Sequence, residues 1–319
     1  MANVTVPCLD LKDGHKIPIV GLGTWQGTGE TDEGGIATNV ENAISIGYRH
    51  IDTAQMYFAE AGVGKGIRAA IDKGMVRRED LFVTTKLWQT HSRREDVVRH
   101  LRKSLDKLQL DYVDLFLVHW PCPLKPMEEN MFPKNDKGEV IFADDIDYLD
   151  TWKGMEEAHD LGLTKSIGVS NFNKRQIERL LANCKTRPVN NQVEVHLFFQ
   201  NRDLVKFCQA EGISVTGYRN LQFLNASQSP EGPKTDVIEA IANRLGKTIQ
   251  QVALKFQIQR AVAVIPKSSN GERLKQNLEA VNIQLTDDDM KALEGLDTNK
   301  RTLDFVFNGS KYYPFADPY

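Results

Sequence analysis

The sequence predicts an α/β protein, a single closed (β/α)8 or TIM barrel with an N-terminal β-hairpin and an extra C-terminal loop. Three observations predict it. Short β-prone runs alternate with helical runs along the chain. Eight such strands can be counted, ending at Gly23, Asp52, Lys86, His119, Ser170, Gln192, Tyr218 and Ile265. No G-x-G-x-x-G opens the first unit, as an open doubly wound sheet would want. Strict alternation implies parallel strands, and eight units within 319 residues favour closure. No linker-like stretch divides the chain, so one domain over residues 1–319 is expected.

Residues 6–20 hold two short apolar-alternating runs around Asp13-Gly14, a hairpin signal. Gly21-Leu22-Gly23-Thr24-Trp25 ends the first barrel strand. It lacks the third glycine of a phosphate cradle, so its glycines are read as permitting close backbone approach. Helical spacing over 34–46 stops at Gly47, and Tyr48-Arg49-His50-Ile51-Asp52 reads as a strand. A loop over 53–59 leads into a helix at 60–73, stopped by Gly74, and 81–86 is a buried strand. An amphipathic helix at 93–108 lines up Val97, Leu101, Leu105 and Leu108. The apolar strand 113–119 ends in His119-Trp120-Pro121, and a Pro-rich, charged loop fills 122–147. Then come helix 149–161, strand 166–170, helix 174–182, strand 189–193, helix 202–211 and strand 213–218. Past an irregular loop at 219–233 lie helices 235–245 and 248–259, strand 262–265 and a last repeat helix at 272–280; beyond Leu296 the tail reads as loop.

Composition narrows the function. With 40 basic and 43 acidic residues the net charge is -3, which gives no electrostatic case for nucleic acid or an anionic membrane. No apolar run reaches the roughly 18 residues of a membrane span, and Met1-Ala2-Asn3-Val4-Thr5 does not open a secretory leader. Cys8, Cys122, Cys184 and Cys208 show no metal-ligand spacing, so no metal is expected. Free thiols suit a reducing compartment, and a cytoplasmic protein is the expectation.

A barrel of this kind places its chemistry at the C-terminal ends of its strands. Those ends carry Asp52, Lys86, His119, Ser170, Asn171 and Gln192, and Tyr57 stands five residues after Asp52. Each alone has an ordinary structural reading: a capping Asp, a packed Tyr, a solvated Lys, a satisfied core His. Lys and His closing successive apolar strands beside that Tyr are poorly explained as independent accidents, because burying a lone charge is costly.

Six strings carry a resemblance: Asp52-Thr53-Ala54-x-x-Tyr57, Thr85-Lys86-Leu87-Trp88, Val118-His119-Trp120-Pro121, Gly168-Val169-Ser170-Asn171-Phe172, Asn191-Gln192-Val193-Glu194 and Ile265-Pro266-Lys267-Ser268. In this order they resemble the aldo-keto reductase superfamily, most closely its aldose/aldehyde reductase branch, over nearly the whole chain to Tyr312-Tyr313-Pro314-Phe315. The resemblance implies a (β/α)8 barrel, NADPH/NADP+ as cofactor, and reduction of a small-molecule aldehyde or ketone by a monomer. It implies a catalytic tetrad of Asp52, Tyr57, Lys86 and His119, with Tyr57 as general acid. A free phenol, with pKa about 10, is a poor donor at neutral pH, so Lys86 is expected to lower it while Asp52 neutralises the Lys. His119 would then hydrogen-bond the substrate oxygen.

By the same resemblance Ser170, Asn171 and Gln192 hold the nicotinamide carboxamide and Tyr218 stacks beneath the ring. Lys267, Ser268 and Arg273 meet the adenosine 2'-phosphate, and Gln276 and Asn277 face the adenine. Thr24, Trp25, Leu221 and Ile265 are further cofactor contacts. Paired cations suit a dianionic phosphate, which NAD lacks. Trp25, Trp88, Trp120 and Phe132 match an aromatic substrate pocket, closed by a C-terminal loop over 303–307 that carries Leu303, Phe305, Val306 and Phe307. The chain departs from the pattern at Arg219-Asn220-Leu221-Gln222, where relatives have Ser-Pro-Leu-Gly, at Ala59 in place of Asn, and at Val195-His196-Leu197 in place of Cys-His-Pro. Two other readings stay open: a ketosteroid reductase acting on an ecdysteroid-type 3-ketone, and a cofactor-sensing binding protein without turnover.

Overall fold

The computed structural model describes residues 4–27, 32–128, 130–224, 235–303 and 307–316. Strands β1 (Cys8–Asp10) and β2 (Lys16–Pro18) form the antiparallel N-terminal hairpin. The barrel strands are β3 (Leu22–Gly23), β4 (His50–Asp52), β5 (Phe82–Leu87), β6 (Val113–Val118), β7 (Thr164–Ser170), β8 (Asn190–Glu194), β9 (Ser214–Tyr218) and β10 (Val262–Val264). All eight pair parallel with their sequence neighbours. Closure is made at the first strand: Val20 pairs parallel with Val264, the Gly21 N–H donates to the Val264 carbonyl at 2.8 Å, and the Val264 N–H donates to the Ile19 carbonyl at 2.8 Å. The (β/α)8 barrel expected from the alternation is therefore the fold observed.

Gly23 permits the close backbone approach the sequence suggests, whereas Gly21 makes room for a side chain. A Cβ on Gly21 would meet His50 Nδ1 at 2.6 Å, and one on Gly23 would meet the Ile265 carbonyl oxygen at 2.6 Å. The seam closes only where no side chain intervenes.

Helices α1 (Glu33–Ile46), α2 (Glu60–Asp72), α3 (Arg94–Leu108), α4 (Tyr148–Asp160), α5 (Lys174–Leu181) and α6 (Arg202–Ala210) follow successive strands. The pair α7 (Asp236–Leu245) and α8 (Ile249–Gln259) precedes β10, and α9 (Gly271–Glu279) follows it. A tenth helix, α10 (Asp287–Glu294), was not expected from the sequence. Thr286 caps it reciprocally with Asp289, and Leu293 packs with Ile238, Ile241 and Ala242.

The period of two along each strand sorts the side chains. Ile51, Val83, Leu87, Phe116, Val118, Ile167, Val169, Val193 and Val215 join a core with Ile36, Val63, Ile67 and Leu101 of the surrounding helices. The alternate positions face the barrel axis. At the lower end these are apolar, with Phe82, Leu115 and Leu117 packed against Leu11 and Ile17 of the hairpin. At the upper end the same inward rows are polar: Asp52 on β4, Lys86 on β5, Ser170 on β7, Gln192 and Glu194 on β8, and His119 just past β6. The fold thus places the site at one rim.

Candidate active site

Lys86 is fully buried, and its ammonium makes three bonds. It donates to Asp52 Oδ1 at 2.6 Å, the Thr53 carbonyl at 3.0 Å and Tyr57 Oη at 3.2 Å. The second Asp52 oxygen accepts from Gln192 Nε2 at 2.7 Å. Because Lys86 donates to the phenol oxygen, the phenol's own hydrogen is free to point into the cleft. His119 meets Tyr57 edge-on, ring centroids 5.7 Å apart, and meets Trp88 at 5.3 Å.

Tyr57 is aimed by local structure. The stretch read as plain loop contains one 3₁₀ turn, Gln55–Tyr57, ended by Phe58 in the left-handed region at φ 54°. The buried Gln55 side chain ties this turn down: its Oε1 accepts from the Trp88 N–H at 2.9 Å, and its Nε2 donates to the His100 carbonyl at 3.2 Å and to Ser104 Oγ at 3.1 Å. Behind Lys86, Thr85 donates to the buried Glu60 at 2.7 Å.

The electrostatics correct one expectation. Burial pushes the Tyr57 phenol well above its ordinary value, and the Asp52 charge adds to the rise. Lys86 does not lower it on balance, because its ammonium is neutralised by the closer Asp52; burial also draws the lysine's own pKa down against that partner. Burial, then the Lys86 charge, holds His119 well below the ordinary histidine range, so its imidazole is neutral. Both rings are poised to donate hydrogen bonds as neutral groups.

Ser170, Asn171 and Gln192 link this centre to Tyr218. Asn171, left-handed at φ 62°, donates to the His119 carbonyl at 3.0 Å and accepts from Tyr218 Oη at 2.6 Å. Ser170 donates to the Gln192 carbonyl at 2.8 Å. A cleft of about 1120 Å³ opens above, and Tyr57, His119 and all the expected cofactor positions line it: Thr24, Trp25, Ser170, Asn171, Gln192, Tyr218, Leu221, Ile265, Lys267, Ser268, Arg273, Gln276 and Asn277. Trp88, Trp120, Phe132 and Leu303 wall the same cleft, joined by Phe307 of the expected C-terminal loop and by Met56, which sequence reasoning missed. Trp25 is 41% exposed at its mouth. Phe305 and Val306 lie outside the described residues.

Comparison with known proteins agrees with this geometry. The aldo/keto reductase family profile matches residues 19–298. The chain belongs to the aldo/keto reductase family. It is similar to aldo-keto reductase family 1 member C1 of Macaca fuscata fuscata, with 43% identity over 321 residues covering 98% of both chains. Aldo-keto reductase AKR2E4 of Bombyx mori is 43% identical over 308 residues, 94% of this chain and 96% of that protein. The aldose reductase structure from Schistosoma japonicum has a TM-score of 0.91 at 38% identity, covering 98% of this chain and all (100%) of that one. The Bombyx mori AKR2E4 structure in complex with NADP has a TM-score of 0.88 at 41% identity, covering 98% and 99%.

This aldo/keto reductase keeps two exposed cations, Lys267 and Arg273, on one wall of its cleft, and neither forms an ion pair among the described residues. Arg273 sits in the first turn of α9, whose start favours an anion. Arg219 is left-handed at φ 56° and donates to Thr302 Oγ1 at 2.9 Å. Gln55 carried no signal of its own, since its partners lie 33 to 49 residues away.

Proposed function

We propose that this chain is an NADPH-dependent oxidoreductase that reduces aldehydes and ketones to alcohols, one barrel acting as a cytoplasmic monomer on small-molecule carbonyls. The buried Lys86 shared between Asp52 and Tyr57 at the floor of the cleft carries this reading. The cleft's groups fit a phosphorylated dinucleotide: Ser170, Asn171 and Gln192 offer hydroxyl and amide groups at one end, Tyr218 a flat ring, and Lys267 with Arg273, without an ion-pair partner among the described residues, cations at the other. Bound there, NADPH supplies the hydride.

The residues do the rest. As negative charge builds on the carbonyl oxygen, the neutral Tyr57 hands its proton to it. Lys86 Nζ, already donating to Tyr57 Oη, stabilises the phenolate left behind, and Asp52 keeps that ammonium ionised and in place. His119 donates a hydrogen bond to the same carbonyl oxygen. The walls of Trp88, Trp120, Phe132 and Phe307 exclude water and favour a bulky apolar carbonyl, which keeps a steroid 3-ketone in view as the substrate class.

A carbonyl panel followed by loss of NADPH absorbance tests the activity. Dinucleotide titrations by tryptophan fluorescence test the cofactor: Lys267→Ala and Arg273→Ala should weaken NADPH while leaving NADH affinity nearly unchanged. A protein that binds NADPH with full affinity yet turns over no carbonyl would favour the cofactor-sensing reading instead.

A further inference from the structure

The inward row of β8 continues past Gln192 to Glu194, a carboxylate with no exposed surface. Such a group is tolerated only when its oxygens are satisfied. Its partners come from the far end of the chain. Glu194 Oε1 accepts from the Thr302 N–H at 2.9 Å and from the Thr302 hydroxyl, and Oε2 accepts from the Leu303 N–H at 3.1 Å. His196 completes the set at 3.2 Å; its Nδ1 accepts from the Phe198 N–H, so its Nε2 carries the hydrogen that points at Glu194. Burial pushes the Glu194 carboxyl up, but the bonds from His196 and Thr302 outweigh it and hold it below the ordinary glutamate value.

Two consequences meet at Thr302. Its backbone and hydroxyl fix where residues 302–303 run, and Leu303 lines the same cleft as Tyr57 and His119. Its hydroxyl oxygen, while donating to Glu194, accepts from Arg219, which lines the cleft next to Tyr218. Arg301, one residue earlier, stacks on Phe315 at 3.6 Å and on Phe199 at 4.5 Å, so the chain enters this anchor already held.

We propose that Glu194 is a positioning residue that sets substrate specificity: it anchors residues 302–303 against the top of β8, and so fixes the Leu303 wall of the cleft relative to Tyr57. The anion never touches substrate. It acts by holding two backbone N–H groups and one hydroxyl of a segment 108 residues away in sequence. Losing the anchor lets the wall move, which matters to a carbonyl compound large enough to press on Leu303 and not to a short aldehyde that ends at Tyr57 and His119. This rests on the carbonyl-reductase reading.

The test compares Glu194→Gln, Thr302→Val and Thr302→Ser, using a bulky aromatic ketone, a short aliphatic aldehyde and NADPH titration by fluorescence. Glu194→Gln and Thr302→Val should raise KM for the ketone about tenfold, the scale of a mis-shaped apolar pocket, with KM and kcat for the aldehyde within about threefold. Thr302→Ser, which keeps the hydroxyl, should behave as the parent. NADPH affinity should hold in all three. If Glu194→Gln does not fold, the Thr302 pair carries the same comparison. Equal losses on both carbonyls, or no change on either, overturn the proposal. A parent protein that binds no NADPH and turns over neither carbonyl overturns the carbonyl-reductase reading, and this inference with it.

Discussion

Tyr57 keeps its proton at rest because burial and the Asp52 charge both oppose the phenolate. A donor of that kind works in one direction of the reaction without help from pH. Reduction should hold steady across the neutral range and fall only on the alkaline side, where the phenol ionises. Alcohol oxidation needs the phenolate and should climb as pH rises; initial rates in both directions across pH check the pair. Tyr57→Phe should cost about 10²–10⁴ in turnover, the usual share of a general acid, with dinucleotide binding intact by fluorescence. Lys86→Met should destabilise the fold by about 3–5 kcal/mol, because it strands the Asp52 carboxylate in the interior; a denaturant melt reads the loss, and adding Asp52→Asn should restore part of it. At this scale Asp52, Lys86 and His119 were legible because charge and imidazole at strand ends are conspicuous. The balance among them was not: whether Lys86 or burial governs Tyr57 depends on a difference between 2.6 Å and 3.2 Å that no sequence states. Gln55 and Glu194 were missed as working residues for the same reason, since distant partners give them their roles.

Elements were easier to foresee than their ends. The strand expected at 189–193 runs Asn190–Glu194, and that one-residue offset brings Glu194 onto the inward row with Gln192. The helix α10 escaped notice because it is only eight residues long and highly charged, yet Thr286 and Asp289 spell its start. Its cap is doubly used, since Asp289 also accepts from Arg244 at 2.6 Å. Thr286→Ala should therefore lower stability by about 1 kcal/mol, measured as a shift in Tm. Gly23 is less forgiving. A methyl there meets the Ile265 carbonyl across the barrel seam, so Gly23→Ala should cost about 1–3 kcal/mol of overpacking and displace the Lys267 loop that follows β10.

The molecule as a whole carries an acid-sensitive point away from its cleft. His91 and His100 stack face to face, ring centroids 3.4 Å apart at 11°, with Glu128, Asp96, Arg99 and Lys103 around them. Burial, then the stacked His100 ring, pushes His91 down to about 3, and burial, then Lys103 and Arg99, pushes His100 down to about 4. Unfolded, each would titrate near the ordinary value of about 6.5. Between those limits the unfolded chain binds more protons than the native one, so stability is complete above about pH 6.5 and is lost as pH falls through the window. Carboxylates such as Asp147, held down to about 2 because its bonds to Arg179 and Leu149 outweigh burial, add their loss only at lower pH. A melt series should show stability declining between about pH 6.5 and 5, and His100→Gln should flatten that decline. The eightfold plan was readable from alternation alone, whereas this pair was not, because His91 and His100 stand on different elements and only the fold stacks them.

The N-terminal hairpin has a consequence for traffic. With Leu11 and Ile17 wedged against Phe82, Leu115 and Leu117, the barrel is stoppered beneath its reactive floor. Among the described residues the lower end of the barrel is packed with side chains, so traffic to Tyr57 belongs to the upper rim, where Trp25 stands exposed in the cleft lining.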